Sequence, residues 1–91
     1  MEFDWDAENT KHIGSHEVET ADAEQVLCNG PLVVQYQEHD SEERILVLGQ
    51  TNAGRLLAVV YTERRGRIRV VTAFPMSRRL EAIYFRERSN R

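Results

Sequence analysis

The spacing of apolar residues changes at Pro31, and this change constrains the fold more than any other feature of the sequence. Beyond Pro31 the chain holds four β-rich runs separated by short polar segments: Leu32–Gln37, Arg44–Gln50, Arg55–Thr62 and Arg67–Phe74. Runs rich in β-branched and other apolar residues, with a period near two, are typical of strands. Connections this short join antiparallel neighbours, so the region after Pro31 is predicted to form an antiparallel meander.

The four runs differ in how much of their surface they are expected to bury. Ile45–Leu48 and Leu56–Val60 are apolar at consecutive positions, which predicts central strands covered on both faces. The last run alternates, so that Ile68, Val70 and Thr72 are expected on one face. The opposite face is predicted to carry basic groups beside small apolar ones, namely Arg67, Arg69, Val71 and Ala73.

The residues before Pro31 show helical spacing after a short extended start. Phe3 and Trp5 alternate with acidic residues, as in a short edge strand. Asp6 then has the side chain of a helix N-cap, and the helix it begins is predicted to end near Ile13.

Two more helices are predicted. Glu19–Cys28 has one apolar face at i, i+3 and i+4, formed by Ala23, Val26 and Leu27. Ser77 can cap a final helix that runs to about Arg88. The core stripe of this last helix is predicted to consist of Met76, Leu80, Ile83 and Tyr84.

These elements predict an α+β fold with N-terminal helices, a four- to five-stranded antiparallel sheet and a C-terminal helix. A chain of 91 residues has room for one small domain, residues 1–91. The single cysteine, Cys28, excludes an internal disulfide and a cysteine-based zinc ribbon. No apolar run approaches the ~20 residues of a membrane helix, and the acidic start is unlike a signal peptide. We therefore expect a cytoplasmic location, no membrane contact and no cofactor.

The net charge of −3 hides two halves of opposite sign. Residues 1–43 hold twelve Asp and Glu against one base, Lys11, whereas residues 44–91 hold eleven Arg against three Glu. Arginine grips phosphate or carboxylate with two hydrogen bonds, so a polyanion or an acidic protein is one expected partner. The alternative is that the two halves pair with each other as solvated surface.

The three histidines allow two kinds of chemistry. His12 and His16 are four residues apart, the spacing of two metal ligands on one helix face, and His39 could be a third ligand. A single histidine acting as general acid or base needs no such partners, because an imidazole exchanges protons near neutral pH. A histidine-based metal site is kept as a remote alternative.

Cleavage of RNA without a metal requires proton-transfer groups and cations that stabilise the phosphorane. His16 or Tyr84 could transfer protons, and four arginines could bind phosphate: Arg64, Arg69, Arg78 and Arg79. The competing interpretation is that Tyr84 packs in the core and that the arginines form a solvated or partner-binding face.

Four segments of the sequence follow, in the same order, the residue pattern of a known family. They are Phe3-x-Trp5-Asp6-x-Glu8-Asn9-x-x-His12-Ile13-x-x-His16-x-Val18, Ala53-Gly54-Arg55-Leu56-Leu57, Gly66-Arg67-Ile68-Arg69-Val70 and Met76-Ser77-Arg78-Arg79. This pattern resembles that of the BrnT toxins of type II toxin–antitoxin systems. The resemblance extends from Glu2 to about Glu87.

The resemblance implies a RelE-like fold and a metal-independent ribonuclease that inhibits translation. It also implies a BrnA-type antitoxin as partner, RNA as substrate, and promoter DNA contacted only through the antitoxin complex. The predicted catalytic residues are His16, Arg64, Arg69 and Tyr84. The residues predicted to bind nucleic acid or antitoxin are Arg67, Arg78 and Arg79. The alternative function is an inactive toxin-like scaffold that binds an antitoxin or a DNA-bound regulatory complex.

This sequence departs from the family pattern at four polar positions. Ser15 stands where a basic residue is usual, and Glu17 stands where the family has glycine. Phe74 replaces an arginine, and Leu80 replaces a glutamate. Loss of an arginine that stabilises a phosphorane lowers the cleavage rate by up to a few orders of magnitude. The departures therefore predict weakened catalysis.

Overall fold

The computed structural model describes residues 1–89, and within them an antiparallel meander is flanked by helices. The elements are α1 (Ala7–Gly14), α2 (Thr20–Cys28), β1 (Leu32–His39), β2 (Glu42–Gln50), β3 (Leu56–Arg64), β4 (Arg67–Pro75) and α3 (Arg78–Ser89). The strand order β1-β2-β3-β4 is the sequence order, and every neighbouring pair is antiparallel. The predicted α+β class is confirmed, and the architecture is compatible with a RelE-like fold. Among residues 1–89, no helix has the length and apolar character needed to cross a membrane.

Both predicted side-chain caps are present. The Asp6 carboxylate accepts from Asn9 N at 3.1 Å, and the Asn9 side chain accepts from Asp6 N at 2.8 Å, so α1 begins with a capping box. At the start of α3, Ser77 Oγ accepts from Leu80 N at 3.2 Å. These bonds satisfy backbone donors that a helix N-terminus leaves without an internal partner.

Two of the three hairpin connections are shorter than their polar sequences predict. The segment from His39 to Glu43 is not a loop, because only Asp40 and Ser41 form the turn, with φ of 51° and 65°. Arg65 and Gly66 form the second turn, with φ of 53° and 76°. Two consecutive residues with positive φ match the right-handed twist of a hairpin, so the strands continue through polar residues up to the turn.

The central strands β2 and β3 have buried residues on both faces, as their consecutive apolar runs predict. On one face, Val47, Leu57 and Val59 pack with residues of α1 and α2, including Ile13 and Val26. On the other face lie side chains that pack against α3, namely Leu48, Ala58, Met76, Tyr84 and their half-buried neighbours. The core stripe predicted for α3 is confirmed.

The predicted faces of β4 are wrong beyond Val70, because the strand contains a bulge. Val60 pairs with Thr72 but Tyr61 pairs with Val70, so Val71 is an extra residue in β4. Ala73 therefore joins Val70 in the core beneath α1 and α2, rather than sharing a face with Arg69. The side chain of Arg69 is only 10 % exposed, so it does not lie on an open sheet surface.

The predicted N-terminal edge strand is reduced to a single parallel bridge between Phe3 and Ile68. Asp4 N donates to Ile68 O and Ile68 N donates to Glu2 O, both at 2.8 Å. The bridge holds the acidic start of the chain against the basic start of β4.

Candidate functional site

A cleft of about 610 Å³ lies between α1 and the end of the sheet formed by β2, β3 and β4. Helix α1 contributes Glu8 and His12 to its wall, and Ser15 follows directly after the helix. The cations of the cleft are Lys11, Arg44, Arg64 and Arg69. The strands place one arginine each in the cleft because β2, β3 and β4 are neighbours in the sheet.

Three carboxylates of the N-terminal segment hold Arg69. Its Nη1 lies 3.0 Å from Asp6 Oδ2 and 3.6 Å from Asp4 Oδ2, and its Nη2 lies 3.7 Å from Glu8 Oε1. The hydrogen bond from Arg69 is the main cause that lowers the pKa of Asp6. The same bond raises the pKa of Arg69, so both groups are charged at neutral pH.

Glu42 connects the other two arginines of the cleft. Its carboxylate accepts from Arg64 Nε at 2.8 Å and lies 3.6 Å from Arg44 Nε. The Arg64 bond is the main cause that lowers the pKa of Glu42. Among the described residues, Arg44 Nε is buried and has no hydrogen-bond partner, so its interaction with Glu42 is an ion pair without a hydrogen bond.

Two histidines lie together at the cleft. His12 Nε2 lies 3.1 Å from Thr72 Oγ1 on β4, and the His12 and His16 rings meet edge to face with centroids 5.4 Å apart. His16 follows the last turn of α1, and its ring also contacts Phe74, with centroids 6.3 Å apart. The structure thus groups His16 with His12, and it brings Arg64 and Arg69 into the cleft that His12 lines.

Tyr84 lies apart from this group. It belongs to α3 and is buried against the sheet, and its hydroxyl accepts from Gln50 Nε2 and from Arg88 Nη1, both at 3.3 Å. The Arg88 guanidinium also lies over its ring at 5.5 Å. The structure does not bring Tyr84 to the histidines or to the cleft arginines.

The remaining predicted arginines are exposed. Arg67 lies 3.6 Å from the exposed Glu2. Arg78 and Arg79 form the first turn of α3 and make no ion pair with any of residues 1–89. Their lack of ion pairs within residues 1–89 agrees with the predicted contact surface, although the structure does not identify what they contact.

The three histidines do not form one group. His39 is at the end of β1, on the sheet edge opposite β4, and pairs with the neighbouring Asp40 at 3.4 Å. Within residues 1–89, no cluster of three metal-ligating side chains is present. The arrangement required by the remote metal alternative is therefore absent from this part of the chain.

The sequence interpretation missed two residues of the cleft. His12 was considered only as a metal ligand, although its spacing from His16 also brings the two rings together. Arg44 begins one of the predicted strands but was given no role. Its position two residues after Glu42 is the signal that could have found it, because alternate strand residues share a face.

A comparison with protein-family models matches residues 5–79 to the ribonuclease toxin BrnT of type II toxin–antitoxin systems. The chain belongs to this BrnT family. Comparisons with curated proteins and with solved structures gave no match. Membership assigns the chain to the toxins of these systems, and it implies an antitoxin partner.

The departures from the BrnT pattern have distinct structural settings. Ser15 lines the cleft and donates to His12 O at 2.6 Å. Glu17 has φ of 62°, a conformation that explains the glycine usual in the family. Phe74 contacts His16, whereas Leu80 packs with the core beneath α3. Leu80 also lies outside the residues matched to the BrnT model.

Proposed function

We propose that this chain is a metal-independent endoribonuclease that uses the cleft beside α1 to cut RNA and thereby inhibit translation in the cytoplasm. The observation that carries the proposal is that His12 lines one cleft with three arginines, while the His16 ring contacts His12 beside that cleft. The proposed partner is a BrnA-type antitoxin, and promoter DNA is contacted through the antitoxin complex. Residues 1–91 act as one toxin domain.

The proposed chemistry uses groups that line the cleft together with His16 beside it. His16 takes the proton of a ribose 2′ hydroxyl while that oxygen attacks the neighbouring phosphorus. Arginine N–H groups stabilise the charge of the phosphorane. His12, beside His16, returns a proton to the leaving 5′ oxygen, so the products carry a 2′,3′-cyclic phosphate and a 5′ hydroxyl. Because Tyr84 is distant, the second proton-transfer role passes to His12.

The charge balance of the cleft supports weakened activity. Its lining carries four cations and Glu8, but three more carboxylates contact its arginines from the margin: Asp4, Asp6 and Glu42. The positive and negative charges are then equal in number. An RNA phosphate must displace these internal partners, which weakens its binding.

A second candidate function is the inactive scaffold. It is favoured by the same internal ion pairs and by Phe74, which occupies the position of a family arginine next to His16. In this alternative, the chain binds its antitoxin, or a DNA-bound regulatory complex, without cutting RNA.

Cleavage by the purified chain in excess chelator decides between the two candidates. Single-stranded RNA should be cut by the wild type, and His16→Ala should reduce the rate by about 10²-fold or more. Arg64→Ala should also reduce it, whereas Arg65→Ala, one residue away in the hairpin turn, should not. His39→Ala is the matched control for His16. No cleavage by the folded wild type would favour the scaffold, and cleavage restored only by a divalent metal would refute metal independence.

A further inference from the structure

A row of apolar side chains crosses three strands near the two hairpin turns, on the sheet face that packs against α1 and α2. Tyr36 pairs with Ile45, and Ile45 pairs with Tyr61, so the three side chains share this face. Ile45 and Tyr61 are half-buried, but Tyr36 is 65 % exposed. Helices α1 and α2 therefore do not cover this end of the sheet, which is open to solvent.

Three carboxylates border the row. Glu38 lies directly opposite Glu43, and Glu63 follows Tyr61 by two residues on the same face of β3. All three residues are exposed, and none forms an ion pair with any of residues 1–89. Burial is the main cause that raises the pKa of the Tyr61 hydroxyl, and Glu63 and Glu43 add to it. We call these six residues the acidic–aromatic patch: Tyr36, Glu38, Glu43, Ile45, Tyr61 and Glu63.

The three patch carboxylates differ from those that the fold uses in ion pairs with arginine. Carboxylates elsewhere contact arginines, as in the Asp22–Arg55, Glu42–Arg64 and Asp6–Arg69 pairs. Like charges placed directly across two strands destabilise a sheet. The fold gains nothing from the Glu38–Glu43 juxtaposition, so a cation from outside the chain would relieve a real repulsion.

The patch also borders a sheet edge. Strand β1 has a strand neighbour on one side only within residues 1–89, and its Val33 and Tyr36 side chains are both exposed. An edge of this kind offers backbone donors and acceptors to an incoming chain. Apolar contact, charge and backbone groups thus converge at one end of the molecule.

We propose that the acidic–aromatic patch is the surface on which the antitoxin docks, through a segment that carries arginine or lysine beside apolar residues. The inference rests on the antitoxin partnership of the proposed function, but not on RNA cleavage. Charge complementarity selects the occupant, because three carboxylates that form no ion pair within residues 1–89 repel RNA and attract a basic segment. The cleft lies on the other side of this strand pair, because Arg44 and Glu43 are adjacent in β2 and point to opposite faces. Docking at the patch therefore leaves the cleft residues unoccupied by this segment.

The test measures affinity for the purified antitoxin by calorimetry, together with thermal stability. Glu43→Lys should weaken binding by about tenfold or more, since it replaces attraction by repulsion. The same change should raise the melting temperature, because the introduced ammonium group would face the Glu38 carboxylate across the strands. Tyr36→Ala should also weaken binding. Glu87→Lys is the matched control, since it alters an exposed residue of α3 and changes the net charge equally.

Binding of the wild type should also weaken from low to high salt. Unchanged affinity in a folded Glu43→Lys variant would overturn the proposal, and so would equal loss in Glu87→Lys. Self-association of the wild type that Tyr36→Ala abolishes would assign the patch to a second copy of the chain instead. Failure of RNA cleavage with intact, patch-dependent antitoxin binding would refute the nuclease proposal and leave this one standing.

Discussion

At the residue scale, the ion pairs of Arg69 tie the acidic start of the chain to the basic start of β4. Asp6 contributes twice, because its carboxylate caps α1 and also binds Arg69. The substitution Asp6→Asn separates the two roles, because an asparagine side chain still caps the helix but carries no charge.

The charged role of Asp6 predicts a specific pH dependence of stability. A carboxyl group whose pKa is lower in the folded state stabilises the protein above its unfolded pKa, and this stabilisation is lost as pH falls through the folded value. The urea midpoint of the wild type should therefore decrease as the pH falls from about 5 toward about 3. Asp6→Asn should flatten this decrease. An identical pH profile for the two proteins would show that the Arg69 pair adds nothing.

Glu17 is the clearest case of local strain. Its φ of 62° places a side chain in the left-handed region, which costs an ordinary residue about 1–2 kcal/mol. Glu17→Gly should raise the free energy of unfolding by about 1 kcal/mol, part of the relief being offset by the flexibility of glycine in the unfolded chain. Glu17→Ala keeps the Cβ atom and should bring no gain. Denaturant titration of both variants measures the difference, and equal stabilities would argue against strain at this residue.

At the scale of elements, the sequence predicted most helices and strands because local signals and core burial agree there. Caps at Asp6 and Ser77 and the apolar runs of β2 and β3 each identify an element without tertiary information. The two short turns were misjudged, since Asp40 and Ser41 need a backbone conformation that composition alone does not reveal. The bulge at Val71 was missed because it depends on pairing with β3.

The candidate site was harder to predict than the fold for the same reason. Residue type was enough to identify His16, Arg64 and Arg69 as candidates. Which side chains lie next to them depends on strand register, which the sequence does not give. Tyr84 satisfied the chemistry of an acid and also the spacing of a core stripe, and the structure places it in the core. Sequence chemistry selects candidates, whereas tertiary packing decides which of them meet.

Strand β4 permits a direct test of the weakened-activity proposal. Phe74→Arg should raise RNA cleavage by about tenfold or more, since it returns a cation next to His16 and its aliphatic stem can keep part of the packing. Phe74→Gln is the control for loss of the ring without gain of charge. Circular dichroism must show that both variants fold. A folded Phe74→Arg protein no more active than Phe74→Gln would contradict the proposal.

At the scale of the whole molecule, part of the opposite charge of the two halves is paired within the chain. Several of the arginines after Glu43 contact carboxylates from residues 1–43: Arg44, Arg55, Arg64, Arg67 and Arg69. The two alternatives left open by composition are thus compatible, because internal pairing coexists with arginines at the start of α3 that form no ion pair within residues 1–89. We expect Arg78 and Arg79 to supply the salt-dependent part of RNA binding.

The proposed toxin activity is tested most directly by protein synthesis in bacteria that are induced to make this chain without antitoxin. We predict that incorporation of labelled amino acid falls for the wild type and for His39→Ala, but is unchanged for an equally abundant, folded His16→Ala variant. Unchanged synthesis with the wild type, or a fall that persists in His16→Ala, would contradict a toxin that acts through the histidine-lined cleft.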